Sequence, residues 1–82
     1  MDEETLRRQA DARIREGKLP TRTPSLTRGG PGTGHLCDLC DRSITEDEVE
    51  IELVLPPDPR LVTLRFHSSC HVAWDAERIR AD

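Results

Sequence analysis

Two short cysteine and histidine pairs constrain this chain more than any other feature. The first is Cys37-Asp38-Leu39-Cys40 and the second is His67-Ser68-Ser69-Cys70. Two ligands three positions apart converge on one metal when the backbone turns tightly between them, as at a knuckle or in the first turn of a helix. Three sulfurs and one nitrogen are a soft donor set that zinc accepts in a tetrahedron. The pattern therefore predicts one structural zinc ion bound by Cys37, Cys40, His67 and Cys70.

Each pair taken alone is ambiguous. Cys-x-x-Cys also serves redox chemistry, and cysteines can be buried as inert hydrophobic residues. A thioredoxin-type motif belongs at a strand-to-helix turn in a larger fold, whereas this one follows a glycine-rich segment and has a matching second pair. The fourth ligand is open among three histidines. We predict His67, whose spacing repeats the knuckle, over His71, which neighbours Cys70, and over His35, which lies two residues before Cys37.

The composition also favours a metal. The chain has 82 residues, of which 34% are hydrophobic and 2% aromatic, so it forms one domain at most. Its core is too small to be stable without a disulfide or a bound metal. Three cysteines are an odd count, which disfavours a disulfide framework. The opening MDEETLRRQADARIREG has neither the apolar stretch of a secretory signal nor a membrane span. We therefore expect a reducing cytoplasm and no membrane partner.

The first half of the chain divides into two segments. Residues 1–17 predict a short helix, with a narrow stripe of Leu6, Ala10 and Ile14 that either docks on the rest or remains solvated. Residues 18–35 are rich in Gly, Pro, Ser and Thr and predict a flexible linker. Their GGPGTG stretch is not a phosphate-binding loop, because the Lys-Ser/Thr that such a loop needs is missing.

Residues 36–82 predict a small zinc-finger domain. Val49, Ile51, Leu53 and Leu55 alternate with glutamates, which indicates a strand with one wet face. A second run, residues 61–66, follows a proline-rich turn at residues 56–59 and completes a hairpin. A helix then begins near Ser68 or Ser69, with apolar residues at helical spacing: Val72, Ala76 and Ile79. The fold class is a small, metal-stabilised α+β domain.

Two further side chains have open roles. Trp74 lies one helical turn after Cys70, where it either fills the core or serves as an exposed anchor for another protein. Arg42 follows the knuckle and is either a solvated surface residue or a contact to the ligand sulfurs. We expect core packing for Trp74 and solvent exposure for Arg42.

A Cys-x-x-Cys knuckle, a hairpin, and a His-x-x-Cys that enters a helix resemble a treble-clef zinc finger. Within that group, CDLCDRSI followed by LRFHSSC is similar to the poly(ADP-ribose) polymerase-type finger and to the first half of a LIM domain, including the position of Ile44. The residues after Cys70 hold no second ligand set, which a LIM domain would require, and the hairpin is acidic where a DNA-break-sensing finger would be basic.

The chain also resembles small bacterial proteins that have no established activity. They carry a glycine-rich stretch before Cys-x-x-Cys and then His-x-x-Cys-x-x-x-Trp-x-x-Glu-Arg, which His67, Cys70, Trp74, Glu77 and Arg78 match. This resemblance implies zinc and a bacterial cytoplasm, and it implies no activity.

Three functions compete. The first is a non-enzymatic zinc module that binds another protein through the N-terminal helix stripe, the hairpin face or Trp74, since a closed four-ligand site leaves no position for a metal-activated water. The second is nucleic-acid binding by a basic arm, although the pI of about 5.3 and the scarce aromatics disfavour it. The arm comprises Arg7, Arg8, Arg13, Arg15, Lys18, Arg22 and Arg28. The third is an enzyme: if His67 were not a ligand, a coordination position would be free and His71 beside the metal could act as a base. We predict the first and expect no catalysis.

Overall fold

The computed structural model describes residues 2–56 and 63–81. Its elements follow in the order α1 (Glu3–Arg15), β1 (Leu26–Pro31), β2 (Val49–Val54), β3 (Thr63–His67) and α2 (Ser68–Ala81). The strands form one antiparallel sheet in the order β1-β2-β3. The predicted α+β class is confirmed. Neither of the helices within the described ranges combines the length and the apolar character that crossing a membrane requires.

Helix α1 begins and ends where the sequence indicates. The Asp2 carboxylate accepts a hydrogen bond from the Thr5 N–H at 2.8 Å, and Gly17 ends the helix with a φ of 76°. Leu6 and Ala10 are buried in the core, and α1 packs against α2. The helix is therefore docked rather than solvated, and its apolar stripe is not available to another protein.

A strand lies inside the segment for which the composition predicts a linker. Strand β1 pairs with β2, and Arg28 stands opposite Glu52. Leu19, in the same segment, is 5% exposed and belongs to the core. Glycine and proline are poor strand formers, but ladder hydrogen bonds come from the main chain, so a well-placed neighbouring strand overrides that preference. Because β2 is distant in sequence, the composition of residues 18–35 does not indicate this pairing.

The predicted hairpin is present as β2 and β3, with Leu53 opposite Leu64. Leu53 and Leu55 are fully buried, as the alternation indicates. The first two residues of β2 do not follow the alternation, which predicts Val49 on the buried face and Glu50 on the wet face. Val49 is 51% exposed, and Glu50 is only 8% exposed. Glu50 is covered because the Thr33 hydroxyl and N–H donate to its Oε1 at 2.8 and 3.1 Å. The predicted turn beyond Pro56 and the start of the second run, residues 57–62, lie outside the described residues.

Helix α2 buries a different face from the one that its apolar spacing indicates. Val72 and Ile79 are 55% and 61% exposed. The buried residues are Cys70, Ala73, Trp74 and Glu77. Cys70 faces the cysteine and histidine cluster, and residues three, four and seven positions after it lie on the same side of a helix. The rotation of α2 therefore follows from Cys70 and turns Val72 and Ile79 outward.

Trp74 lies at the centre of the core. Its side chain is fully buried and stacks on Phe66, with ring centroids 5.5 Å apart. The indole N–H donates to the Pro20 carbonyl at 2.9 Å, so this buried polar group has a partner. The prediction of core packing is confirmed, and Trp74 is not an exposed anchor.

Candidate metal centre

The first half of the site is a tight turn that holds Cys37 and Cys40. The Leu39 N–H points at the Cys37 sulfur at 3.4 Å, and the Asp41 N–H donates to the Cys37 carbonyl at 3.0 Å. Asp41 closes the turn in the left-handed region, with a φ of 65°. The Cys37 N–H donates to the Arg42 carbonyl at 2.8 Å, which places the two sides of the turn together. This geometry directs both cysteines toward the same point.

The second half comes from the junction of β3 and α2. His67 is the last residue of β3, and Cys70 lies in the first turn of α2. The chain passes directly from strand to helix here, so the two ligands of the second pair are held by two different regular elements. Regular elements position ligands more accurately than a mobile loop would.

The four predicted ligands meet at one place. The sulfurs of Cys37, Cys40 and Cys70 and a ring nitrogen of His67 all lie within 4.8 Å of one another. Cys37, Cys70 and His67 are buried, and Cys40 is half-buried. A group of this kind can coordinate one metal ion.

His67 is oriented by Glu48. Its Nδ1 lies 3.4 Å from the Cys40 sulfur, and its Nε2 lies 3.2 Å from Glu48 Oε1. The Thr45 N–H also donates to that carboxylate oxygen at 2.9 Å. A carboxylate beside Nε2 favours the tautomer that has its proton there and leaves Nδ1 free to face the sulfurs, an arrangement typical of metal-bound histidines.

The role of Glu48 does not follow from the alternation in β2, which indicates only a residue of the wet face. A signal for it exists, because Thr45 and Glu48 have the S/T-x-x-E spacing of a reciprocally bonded turn. That spacing predicts that the Glu48 carboxylate is fixed by Thr45. It does not predict that the other side of the carboxylate meets His67.

The other two histidines lie outside the cluster. The exposed His35 has its Nδ1 2.6 Å from the Thr33 hydroxyl. His71 packs with its ring centroid 6.3 Å from Phe66 and 6.2 Å from Trp74. Burial lowers the pKa of His71, with Asp75 opposing that effect. Of the three candidates for the fourth position, the structure brings only His67 to the three sulfurs.

The sulfurs strongly influence one another's protonation. A hydrogen bond from the Cys70 thiol, the largest cause, lowers the pKa of Cys37, and the N–H groups of Cys40, His67 and Leu39 lower it further. The same hydrogen bond raises the pKa of Cys70. Crowded thiols of this kind release their protons more readily when a cation takes the protons' place.

Arg42 takes part in this electrostatic environment. A hydrogen bond to the Cys40 sulfur is the largest cause of the raised pKa of its guanidinium. Arg42 is exposed, as predicted, and its guanidinium also lies close enough to the Cys40 sulfur to be influenced by it. Its charge offsets part of the negative charge that three thiolates would bring to the site.

Comparisons of the chain with protein-family models, with curated proteins and with solved structures found no match.

Proposed function

We propose that this protein is a non-enzymatic zinc module, in which one Zn²⁺ holds the fold together and the folded domain binds another protein. The observation that carries the proposal is the convergence of three sulfurs and one imidazole nitrogen within 4.8 Å. Zinc is the metal whose preferred ligands and tetrahedral geometry such a set satisfies best. Three free thiols also suit a reducing compartment such as the bacterial cytoplasm.

A structural role for the metal follows from the closed ligand set. Four protein ligands complete a tetrahedron and leave no position for a reactive water. The ligands also come from parts of the chain that are distant in sequence, since the knuckle lies in a loop and the second pair spans the end of β3 and the start of α2. An ion bound by both parts therefore stabilises the folded state directly.

The arrangement supports a treble-clef assignment. A knuckle, a hairpin and a helix supply the ligands in the order that the resemblance implies, and Ile44 is fully buried after the second cysteine. Strand β1 and helix α1 would then be additions to that unit, one on the sheet edge and one against α2.

A protein partner fits the surface better than nucleic acid. Every residue of the basic arm has an acceptor within the chain: Arg7 has Glu77, Arg8 has Glu4, Arg13 has Asp41, Arg15 has Asp11, Lys18 has Glu16, Arg28 has Glu52, and Arg22 has the Pro56 carbonyl. Phosphate binding would have to compete with these contacts. Of the three surfaces predicted for a partner, Trp74 and the α1 stripe are buried, so the hairpin face of the sheet is the one that remains.

Native mass spectrometry with and without a chelator tests the metal. We expect one zinc per chain, and we expect the folded charge-state distribution to be lost when the chelator removes it. The His67→Ala variant should lose zinc, while His71→Ala and His35→Ala, the matched controls, should retain it. A parent protein that is metal-free yet unfolds cooperatively would refute the proposal, and zinc loss in His71→Ala would refute the ligand assignment.

A salt titration tests the choice of partner. Binding to duplex or single-stranded nucleic acid that weakens steeply as salt rises would favour the alternative function, because phosphate contacts release counterions. We expect no such binding by the zinc-loaded protein, and we expect a protein to be recovered with it from a bacterial lysate.

A further inference from the structure

Two of the five glycines are not required by the fold itself. Gly17 and Gly34 have positive φ values, and a Cβ at Gly32 would collide with the Thr45 carbonyl. A Cβ at Gly30 would meet nothing within 4 Å, and one at Gly29 would touch only Ile51, at an ordinary 3.5 Å. Glycine weakens a strand by roughly 0.5–1 kcal/mol relative to alanine. Glycine inside a strand often marks a bulge, a tight bend, or a place where a ligand or another backbone approaches closely.

These glycines lie in β1, the edge strand of the sheet. All six residues of β1 are exposed, and β2 is the one described element that β1 contacts. The Gly32 N–H donates to the Glu48 carbonyl at 2.9 Å, and hydrogen-bonded positions alternate along an antiparallel pair. The main-chain groups of Arg28 and Gly30 therefore point to β2, and those of Thr27, Gly29 and Pro31 point outward.

The outward side of β1 is suited to another strand. Thr27 and Gly29 present N–H and carbonyl groups, while Pro31 presents a carbonyl alone. Proline is tolerated on an edge strand where its missing N–H would have pointed away from the sheet. A strand that pairs with this edge can accept hydrogen bonds from the N–H groups of Thr27 and Gly29. It receives no hydrogen bond from Pro31.

The polar face of the sheet has a groove above Gly30. Residues opposite one another share a face, so this face carries Arg28 with Glu52 and Gly30 with Glu50. The groove is bordered by Arg28, Thr33, Glu50 and Glu52. A side chain that lies across Gly30 would lie near the carboxylates of Glu50 and Glu52, which Arg65 of the same chain also contacts at 3.5 and 3.1 Å. The groove therefore suits a polar or cationic side chain better than an anionic one.

We propose that a second copy of this chain occupies this edge, with its β1 antiparallel to the first and a two-fold axis at Gly29. In that register the two Gly29 residues exchange their hydrogen bonds, and each Thr27 N–H donates to the Pro31 carbonyl of the other copy. The Thr27 carbonyl faces Pro31 and receives no hydrogen bond. This register therefore gives four main-chain hydrogen bonds, two from the Gly29 residues and two from the Thr27 residues. A two-fold axis at Arg28 would instead place the two Arg28 side chains opposite one another, where like charges repel.

The same register puts a cation into the groove. Arg28 of each copy stands opposite Gly30 of the other, where the absent side chain leaves space for its guanidinium. The Arg28 side chain is 65% exposed and already contacts Glu52 of its own chain at 2.6 Å. Across Gly30 it reaches Glu50 of the second copy, so each arginine bridges carboxylates of both chains. Opposite charges in neighbouring strands stabilise a sheet, and the space above Gly30 is thereby filled.

This association goes beyond the proposed zinc function, because β1 contributes no metal ligand. A single edge-strand contact is smaller than a standard protein interface, so we expect a reversible dimer with a dissociation constant on the order of 10⁻⁴ M. Loss of zinc binding would refute the function, whereas a strictly monomeric zinc protein would refute the dimer, so the two failures are distinguishable.

Amide NMR of the zinc-loaded protein tests the proposal over a concentration series up to about 1 mM. We expect the Thr27 and Gly29 amides to shift and to gain protection from exchange as concentration rises, while the Arg28 and Gly30 amides, already bonded to β2, change much less. A chain that stays monomeric throughout, or a dimer that leaves the Thr27 and Gly29 amides unchanged, would overturn it.

Two variants locate the contact. Gly30→Val fills the groove without meeting any atom of its own chain at the Cβ, so the zinc content should be unchanged while dimerisation weakens by at least about tenfold. Gly29→Ala, the matched control, puts its methyl group on the opposite face, toward Ile51, and should dimerise within about twofold of the parent. Equal dimerisation by Gly30→Val and the parent, or equal weakening by the two variants, contradicts the groove.

Discussion

Asp38 and Arg65 exchange two hydrogen bonds. The Asp38 N–H donates to the Arg65 carbonyl at 2.8 Å, and the Arg65 N–H donates to Asp38 Oδ2 at 2.7 Å. Asp38 lies between the two knuckle cysteines, and Arg65 lies two residues before His67. The exchange therefore ties the first half of the candidate metal site to β3, the strand that ends in His67. Burial raises the pKa of Asp38, while the Arg65 N–H opposes that effect.

Removing the Asp38 carboxylate should loosen this tie. Asp38→Ala leaves the Arg65 N–H without its acceptor and should lower the free energy of unfolding by about 1–2 kcal/mol. Asp38→Asn should lose less, because its amide oxygen still accepts. Chemical denaturation of the zinc-loaded variants measures both. Glu46→Ala, which removes an exposed carboxylate in the neighbouring loop, is the control. If Glu46→Ala lowered the free energy of unfolding as much as Asp38→Ala, the role assigned to Asp38 would be contradicted.

Replacing Glu48 should weaken metal binding. Glu48→Ala removes the acceptor for His67 Nε2, and the loss of such an outer partner typically costs about 10–100-fold in metal affinity. Glu48→Gln should fall between Glu48→Ala and the parent, since its side-chain oxygen can still accept. Competition with a chromophoric chelator gives the affinity. An unchanged affinity in Glu48→Ala would show that His67 needs no orienting carboxylate.

Leu19 should contribute to stability although the residue itself belongs to neither a helix nor a strand. Leu19→Ala leaves a cavity in the core and should lower the free energy of unfolding by about 2–4 kcal/mol. Leu36 is 63% exposed, against 5% for Leu19, so Leu36→Ala should stay within about 0.5 kcal/mol of the parent. Thermal and chemical denaturation test the pair, and equal effects would mean that the segment does not pack as described.

Arg7 and Arg8 should differ although they are neighbours. Arg7 Nε lies 2.7 Å from the carboxylate of Glu77, whose side chain is 6% exposed, so Arg7→Gln weakens the pairing of a buried charge. We expect a loss of about 1–2 kcal/mol. Arg8 pairs with Glu4 on the surface, and Arg8→Gln should cost less than about 0.5 kcal/mol. If denaturation showed the same loss in the free energy of unfolding for Arg7→Gln and Arg8→Gln, the docking of α1 on α2 would be contradicted.

The predictable features of the fold were those with short-range causes. The start and end of α1 follow from Asp2 and Gly17, and the two strands of the hairpin follow from alternation within a few residues. Strand β1 was not predictable, because its residues favour turns and its stability comes from pairing with β2. The prediction for the buried face of α2 was wrong because it used only the spacing of apolar residues. The orientation of the helix is set by Cys70, which must face the cluster.

The spacing of Cys37, Cys40, His67 and Cys70 predicted by itself the four side chains that the structure brings together, since two ligands three positions apart can turn toward one ion through local backbone geometry. The tertiary structure alone decided which nitrogen of His67 faces the sulfurs, because that orientation depends on Glu48, nineteen residues away in the chain. It also decided that Glu50 is covered and Val49 exposed. Both outcomes are set by contacts between distant segments, and no local pattern of residues specifies such contacts.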